Sequence, residues 1–115
     1  MIYKFEKHDW SGTIIYGVTA ENKILNNFGR WNWTSTKIQE IIDGVTLGKT
    51  KPYGEEFNWA SEDLEVYVNL KGVLLIDMIA HRAGKQDKES TTLEISHEEF
   101  LKFLNDFKKF IEANS

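Results

Sequence analysis

Three histidines, four tryptophans, one Gly-Lys-Thr triplet and one carboxylate inside an apolar run are the residues that could carry chemistry in this chain. The histidines are His8, His81 and His97. A helix-borne metal site needs two of them at i and i+4, or one beside carboxylates at ligand spacing. No two sit so, and none has a carboxylate at that spacing. His97 falls in the first turn of an expected helix, an ordinary surface position. His8 and His81 have no nucleophile placed to use them as a general base. Gly48, Lys49 and Thr50 resemble the end of a phosphate-binding loop, which needs a further glycine at the position held by Asp43. Gly44 is one residue too close, a helix leads in instead of a strand, and Lys51 and Pro52 lead out. The motif is rejected. Asp77 sits in the most apolar stretch, where a buried carboxylate must be paired or keep its proton. A position at a sheet end, with Arg82 as partner, is the simpler reading.

Binding chemistry is better represented. From Glu55 to Glu65 run Glu55, Glu56, Glu62, Asp63 and Glu65 with no Lys or Arg between them. Such a field favours a basic partner and speeds the encounter. The plain alternative is a solvated face that only aids solubility. Trp59 lies inside the run and is a possible anchor, because tryptophan is enriched among residues that dominate interfaces. The candidate partner-binding set is therefore Glu55, Glu56, Trp59, Glu62, Asp63 and Glu65. Trp31 and Trp33 alternate on a short extended piece, so both rings fall on one side, in the core or on an interface. The one basic cluster, His81, Arg82, Lys85 and Lys88, has Asp87 inside it. Net charge is −4, which argues against nucleic acid, whose phosphates call for a basic stripe.

The elements that must position these residues read as α+β. Met1 to Lys7 predicts a short strand, Asp9 to Gly12 a turn, and the β-branched Thr13 to Thr19 a second strand. Glu21 and Asn22 predict a turn, and Lys23 to Phe28 a third strand. Ile38, Ile41, Ile42 and Val45 share one helical face. Thr34, Ser35 or Thr36 can cap that helix, Thr36 and Gln39 have capping-box spacing, and Gly48 stops it. Gly44 inside it costs ~1 kcal/mol. Phe57 and Trp59 suggest a strand. Leu64, Val66, Val68 and Leu70 alternate with polar residues, as on a sheet with one wet face. Val73 to Ala80 reads as a central strand covered on both sides, and His81 to Ser90 as a polar loop. Ser96 and Glu99 form a capping box before a stripe of Phe100, Phe103, Leu104, Phe107, Phe110 and Ile111. The expected architecture is an antiparallel sheet of about five to seven strands, packed by a long C-terminal helix and a shorter internal one.

At 115 residues the chain fits one domain, residues 1–115, with enough length for a real core. A hydrophobic fraction of 41% is too high for disorder. Zero cysteines exclude disulfides, thiol catalysis and thiolate metal sites. No apolar run is long enough for a membrane span, and the start lacks the apolar core of a secretory signal, so a cytoplasmic location is expected.

Met1–Phe5 (MIYKF), Gly54–Phe57 (GEEF) and Glu98–Leu104 (EEFLKFL) with Phe107 and Phe110 resemble the small acidic bacterial proteins of the YacL type. The pattern covers most of the chain and consists of apolar spacings. That family has no assigned chemistry, so the resemblance implies no site residues. In overall character the chain also resembles immunity proteins of bacterial contact-dependent growth inhibition systems. These are small, acidic, Cys-poor cytosolic proteins that each bind and block one cognate toxin domain. They share no common motif, and the resemblance is one of type. It implies a non-catalytic binding protein, with no cofactor and no metal, whose partner is a basic toxin domain of nuclease kind. The YacL-type alternative implies a regulatory or small-ligand-binding protein with a pocket lined by Trp31 and Trp33. An enzyme using His8 or His81 ranks last.

Overall fold

A two-residue turn opens the fold. Ser11 and Gly12 both take positive φ, 54° and 90°, the geometry that matches the twist of a tight hairpin. The Asp9 carboxylate accepts the Gly12 N–H at 2.8 Å and holds the turn shut. The hairpin strands are β1 (Tyr3–Trp10) and β2 (Thr13–Ala20), paired antiparallel from Tyr3 opposite Ala20 to Trp10 opposite Thr13. A helical segment follows, α1 (Lys23–Asn26) running into a 3-10 turn (Asn27–Gly29), and then α2 (Ser35–Gly48). Three strands come next: β3 (Phe57–Ala60), β4 (Leu64–Asn69) and β5 (Gly72–Asp77). The chain ends with α3 (Met78–Arg82), β6 (Thr92–Ile95) and α4 (His97–Asn114). The computed structural model describes residues 1–29, 31–84, 87 and 91–115. Lys85, Lys88 and Ser90 of the sequence-based expectations lie outside the described residues.

Among the described residues the fold is α+β with six antiparallel strands and a long C-terminal helix, as the sequence predicts. The strands divide between the β1–β2 ribbon and a four-stranded meander in the order β3-β4-β5-β6. Alternation along β4 buries Leu64, Val66 and Val68 and leaves Glu65, Tyr67 and Asn69 half-exposed. On β5, Val73 and Leu75 are buried on the same side. Against this inner face lies α4, which buries Phe100, Phe103, Leu104, Phe107 and Ile111. Phe28 is the meeting point: fully buried, it stacks on Trp33 at 4.6 Å and meets Phe100, Phe103, Phe107 and Trp59 edge-on or tilted. Phe5 of the ribbon stacks on Phe107 at 4.8 Å, so one core joins both sheets. Burying a side chain of this size contributes about 1.5–3 kcal/mol.

Several local expectations are corrected. Lys23 to Phe28 is helical, not a strand. Asn22 caps α1 by accepting the Ile24 N–H at 2.8 Å, and the Asn26 side chain accepts the Ala20 N–H. Two asparagine side chains therefore satisfy backbone donors that a strand would have given to a neighbour. The cap of α2 is Thr34, which accepts the Lys37 N–H, and not a Thr36–Gln39 box; Gln39 bonds Asp43 and Lys108 instead. The strand expected to run to Ala80 ends at Asp77, whose carboxylate accepts the Ala80 N–H at 3.0 Å and caps α3. Its second face is half-exposed rather than covered, with Leu74 and Ile76 on it. His81 and Arg82 are the last residues of α3 rather than the start of a loop, and Arg82 approaches Asp63 at 4.0 Å rather than Asp77. Leu70 turns outward, 60% exposed, at the β4–β5 turn.

Candidate partner-binding face

Residues two apart on a strand share a face, and cross-strand partners extend it sideways. On the meander both α2 and α4 pack on the inner face. A Cβ on Gly44 of α2 would lie 2.2 Å from the inward Phe57 ring, and one on Gly48 would lie 2.9 Å from Val68. The opposite face is therefore the wet one. Its first row across the sheet is Asn58, Tyr67, Leu74 and Glu94, and its second is Ala60, Glu65, Ile76 and Thr92. Asn58, Ala60 and Glu94 are exposed and the others half-buried. A groove of about 270 Å³ crosses this face at the β4–β5 turn, with Tyr53, Tyr67, Leu74, Ile95, Glu94 and Lys71 among its walls.

Electrostatics on this face are negative. The Tyr67 hydroxyl donates to the Glu65 carboxylate beside it on the strand. That bond, with burial and the nearby Glu56 charge, raises the phenol above its ordinary value of 10.0. Glu56 accepts the Gly54 N–H at 3.0 Å and the Asn69 side-chain amide at 3.3 Å. Glu56, Asn69, Tyr67 and Glu65 thus form one polar line along β4. At one end of the groove, the His97 ring nitrogen lies 2.6 Å from the Asn69 carbonyl oxygen, which ties the start of α4 to β4. His97 is therefore half-buried structure and not a free surface group.

Of the sequence-predicted set, Glu56 and Glu65 come together on the wet face around Tyr67. Glu55 is exposed just before β3. Glu62 and Asp63 lie in the β3–β4 turn, separated from Glu55 by the whole of β3, roughly 13 Å of extended chain. Asp63 is near Arg82. Trp59 points to the inner face, where it meets Trp33 at 5.0 Å, Phe28 at 5.9 Å and Trp31 at 6.1 Å. The anchor expected beside the acids is on the other side of the sheet from Glu65. Trp33 belongs to the core, 3% exposed with its indole N–H donating to the Phe28 carbonyl, while Trp31 is 40% exposed. Tyr67, Leu74, Glu94 and Tyr53 were not in the predicted set. The wet-face alternation of β4 marks Tyr67 and the apolar run marks Leu74, whereas Glu94 needs β6, which alternates from Thr92 to Ile95.

A second polar constellation lies where β1 meets α4. Tyr3 donates to Asp106, and Lys102 reaches Asp106 at 2.7 Å and the Tyr3 oxygen at 3.4 Å. Burial alone would raise the Asp106 carboxyl, but the hydrogen bonds from Lys102 and Tyr3 outweigh it and hold it below its ordinary value. Burial and the Asp106 bond raise Tyr3. The trio clamps the ribbon to the helix. Among the described residues no group of three or more His, Asp or Glu is placed to hold a metal ion, and no helix is long and apolar enough to cross a membrane.

The chain matches no protein-family model, no curated protein and no solved structure.

Proposed function

We propose that this chain is a non-catalytic immunity protein, acting in the cytoplasm, that binds and blocks a basic bacterial toxin domain of nuclease kind. The supporting observation is the wet face of the meander, where Glu56, Glu65 and Glu94 surround half-exposed Tyr67, Leu74 and Ile76. Apolar area ringed by carboxylates suits a protein surface that carries cations, because burial supplies affinity and charge supplies steering. Nuclease domains are basic around their active sites because they hold phosphates. Glu62 and Asp63 at the hairpin end extend the field, and β3 is an edge strand of the meander, the position that strand addition uses.

A small-ligand-binding role would use a pocket lined by Trp31 and Trp33. Trp33 is taken up by the core, so no observation favours that role. The test is to read the DNA immediately upstream of the coding region and co-express the C-terminal domain of any secreted toxin encoded there. The expected result is that cells expressing the toxin domain survive only with this chain and that the two co-purify. A metabolic or ribosomal operon upstream, or death despite co-expression, would overturn the proposal.

A further inference from the structure

We propose that the groove on the wet face receives a single arginine side chain of a basic protein partner. The inference rests on the reading of the chain as a binder of such a partner, and it names one contact that binding would make. The groove has apolar walls and a charged rim. Leu74 and the ring of Tyr67 can take a methylene stem.

The register sets the span. Tyr67, Leu74 and Glu94 are consecutive partners across β4, β5 and β6, neighbours lying roughly 5 Å apart. A side chain lying over Leu74 with its stem near Tyr67 therefore brings its head to Glu94. Glu94 is exposed and, among the described residues, has neither a hydrogen-bond nor an ion-pair partner for its carboxylate. Glu65 and Glu56 are already engaged, by Tyr67 and by Gly54 with Asn69, and act on the groove through their charge alone.

Among the described residues the groove is lined by one carboxylate, Glu94, and one cation, Lys71, and Glu65 and Glu56 stand beside it, bonded to the lining residues Tyr67 and Asn69, so charge complementarity favours a cation. Shape selects arginine over lysine. A planar guanidinium meets the Glu94 carboxylate through two parallel N–H bonds, which a compact ammonium cannot do.

The experiment is a titration of the isotope-labelled full chain with acetyl-Gly-Arg-Gly-amide, followed by amide NMR shifts. The same peptide with citrulline in place of arginine keeps the shape and removes the charge. The expected result is saturable shifts centred on Tyr67, Leu74 and Glu94, with millimolar affinity. Binding should be about fivefold weaker for the citrulline peptide and about fivefold weaker for Glu94→Gln, as befits one exposed charge-assisted contact. Equal binding of both peptides, or no saturable shift at these residues, would overturn the groove assignment. Shifts centred on Glu62 and Asp63 would also overturn it, yet leave a basic partner docking elsewhere intact. The immunity reading itself fails or survives in the co-expression experiment, which does not depend on the groove.

Discussion

Tyr67 holds its proton because Glu65 accepts it and Glu56 adds negative charge nearby. Glu65→Gln removes the largest of these causes. The phenol should then titrate lower, toward the free-tyrosine value of about 10, in an ultraviolet pH titration read against Tyr67→Phe. An unmoved titration would contradict the negative face. Asp106 gives the opposite sign. Its folded-state pKa lies below the unfolded one, so the stability it contributes is present above about pH 4 and lost as pH falls through the folded value. Asp106→Asn should lower the urea midpoint at pH 7 and leave little difference at pH 2. Equal midpoints for the two proteins at pH 7 would rule out the clamp. At this scale much was legible in sequence. Asp77 inside an apolar run signalled a position at the end of the sheet, though not that the strand stops there, and Ser96 with Glu99 signalled a helix start. What was hidden is three-dimensional: no local pattern says that Tyr3 meets Asp106, or that Arg82 turns to Asp63.

The elements follow from patterns that only partly determine them. Period-two alternation named β4, and the apolar stripe named α4, because in each case burial and propensity agree. Lys23 to Phe28 has the apolar content of a strand, but the Asn22 side chain caps it into α1, and the Asn26 side chain ties that helix back to the end of β2 at Ala20. That change delivers Phe28 to the centre of the core. β6 was missed because four residues carry too little pattern to stand out beside a polar segment. Gly44 looked like a simple cost to α2. In the fold it is the site where Phe57 enters, with ring atoms 2.2–2.6 Å from where a Cβ would stand. Gly44→Ala gains about 1 kcal/mol of helix propensity and loses about 1–3 kcal/mol to overpacking, so the net expectation is destabilisation by about 1 kcal/mol. Urea unfolding checks this, and a higher midpoint for the variant would show that the ring shifts freely.

For the whole molecule, the α+β class and the long C-terminal helix were readable, while the division of strands into a ribbon and a meander was not. That division depends on α1 and α2 intervening between Ala20 and Phe57. It also decides how the acids are distributed. A run continuous in sequence becomes two clusters at opposite ends of β3, with Glu65 opposite Ala60 at the Glu62–Asp63 end and Trp59 facing inward. Electrostatic attraction spread over that length acts mainly on the rate of encounter and weakens with salt. The most direct measurement is the association rate of this chain with the basic toxin domain proposed as its partner, taken across a range of ionic strength. The account predicts a fast rate that falls steeply with salt, and a slower, flatter one for the double variant Glu62→Lys, Asp63→Lys. A rate indifferent to both salt and charge reversal would contradict it.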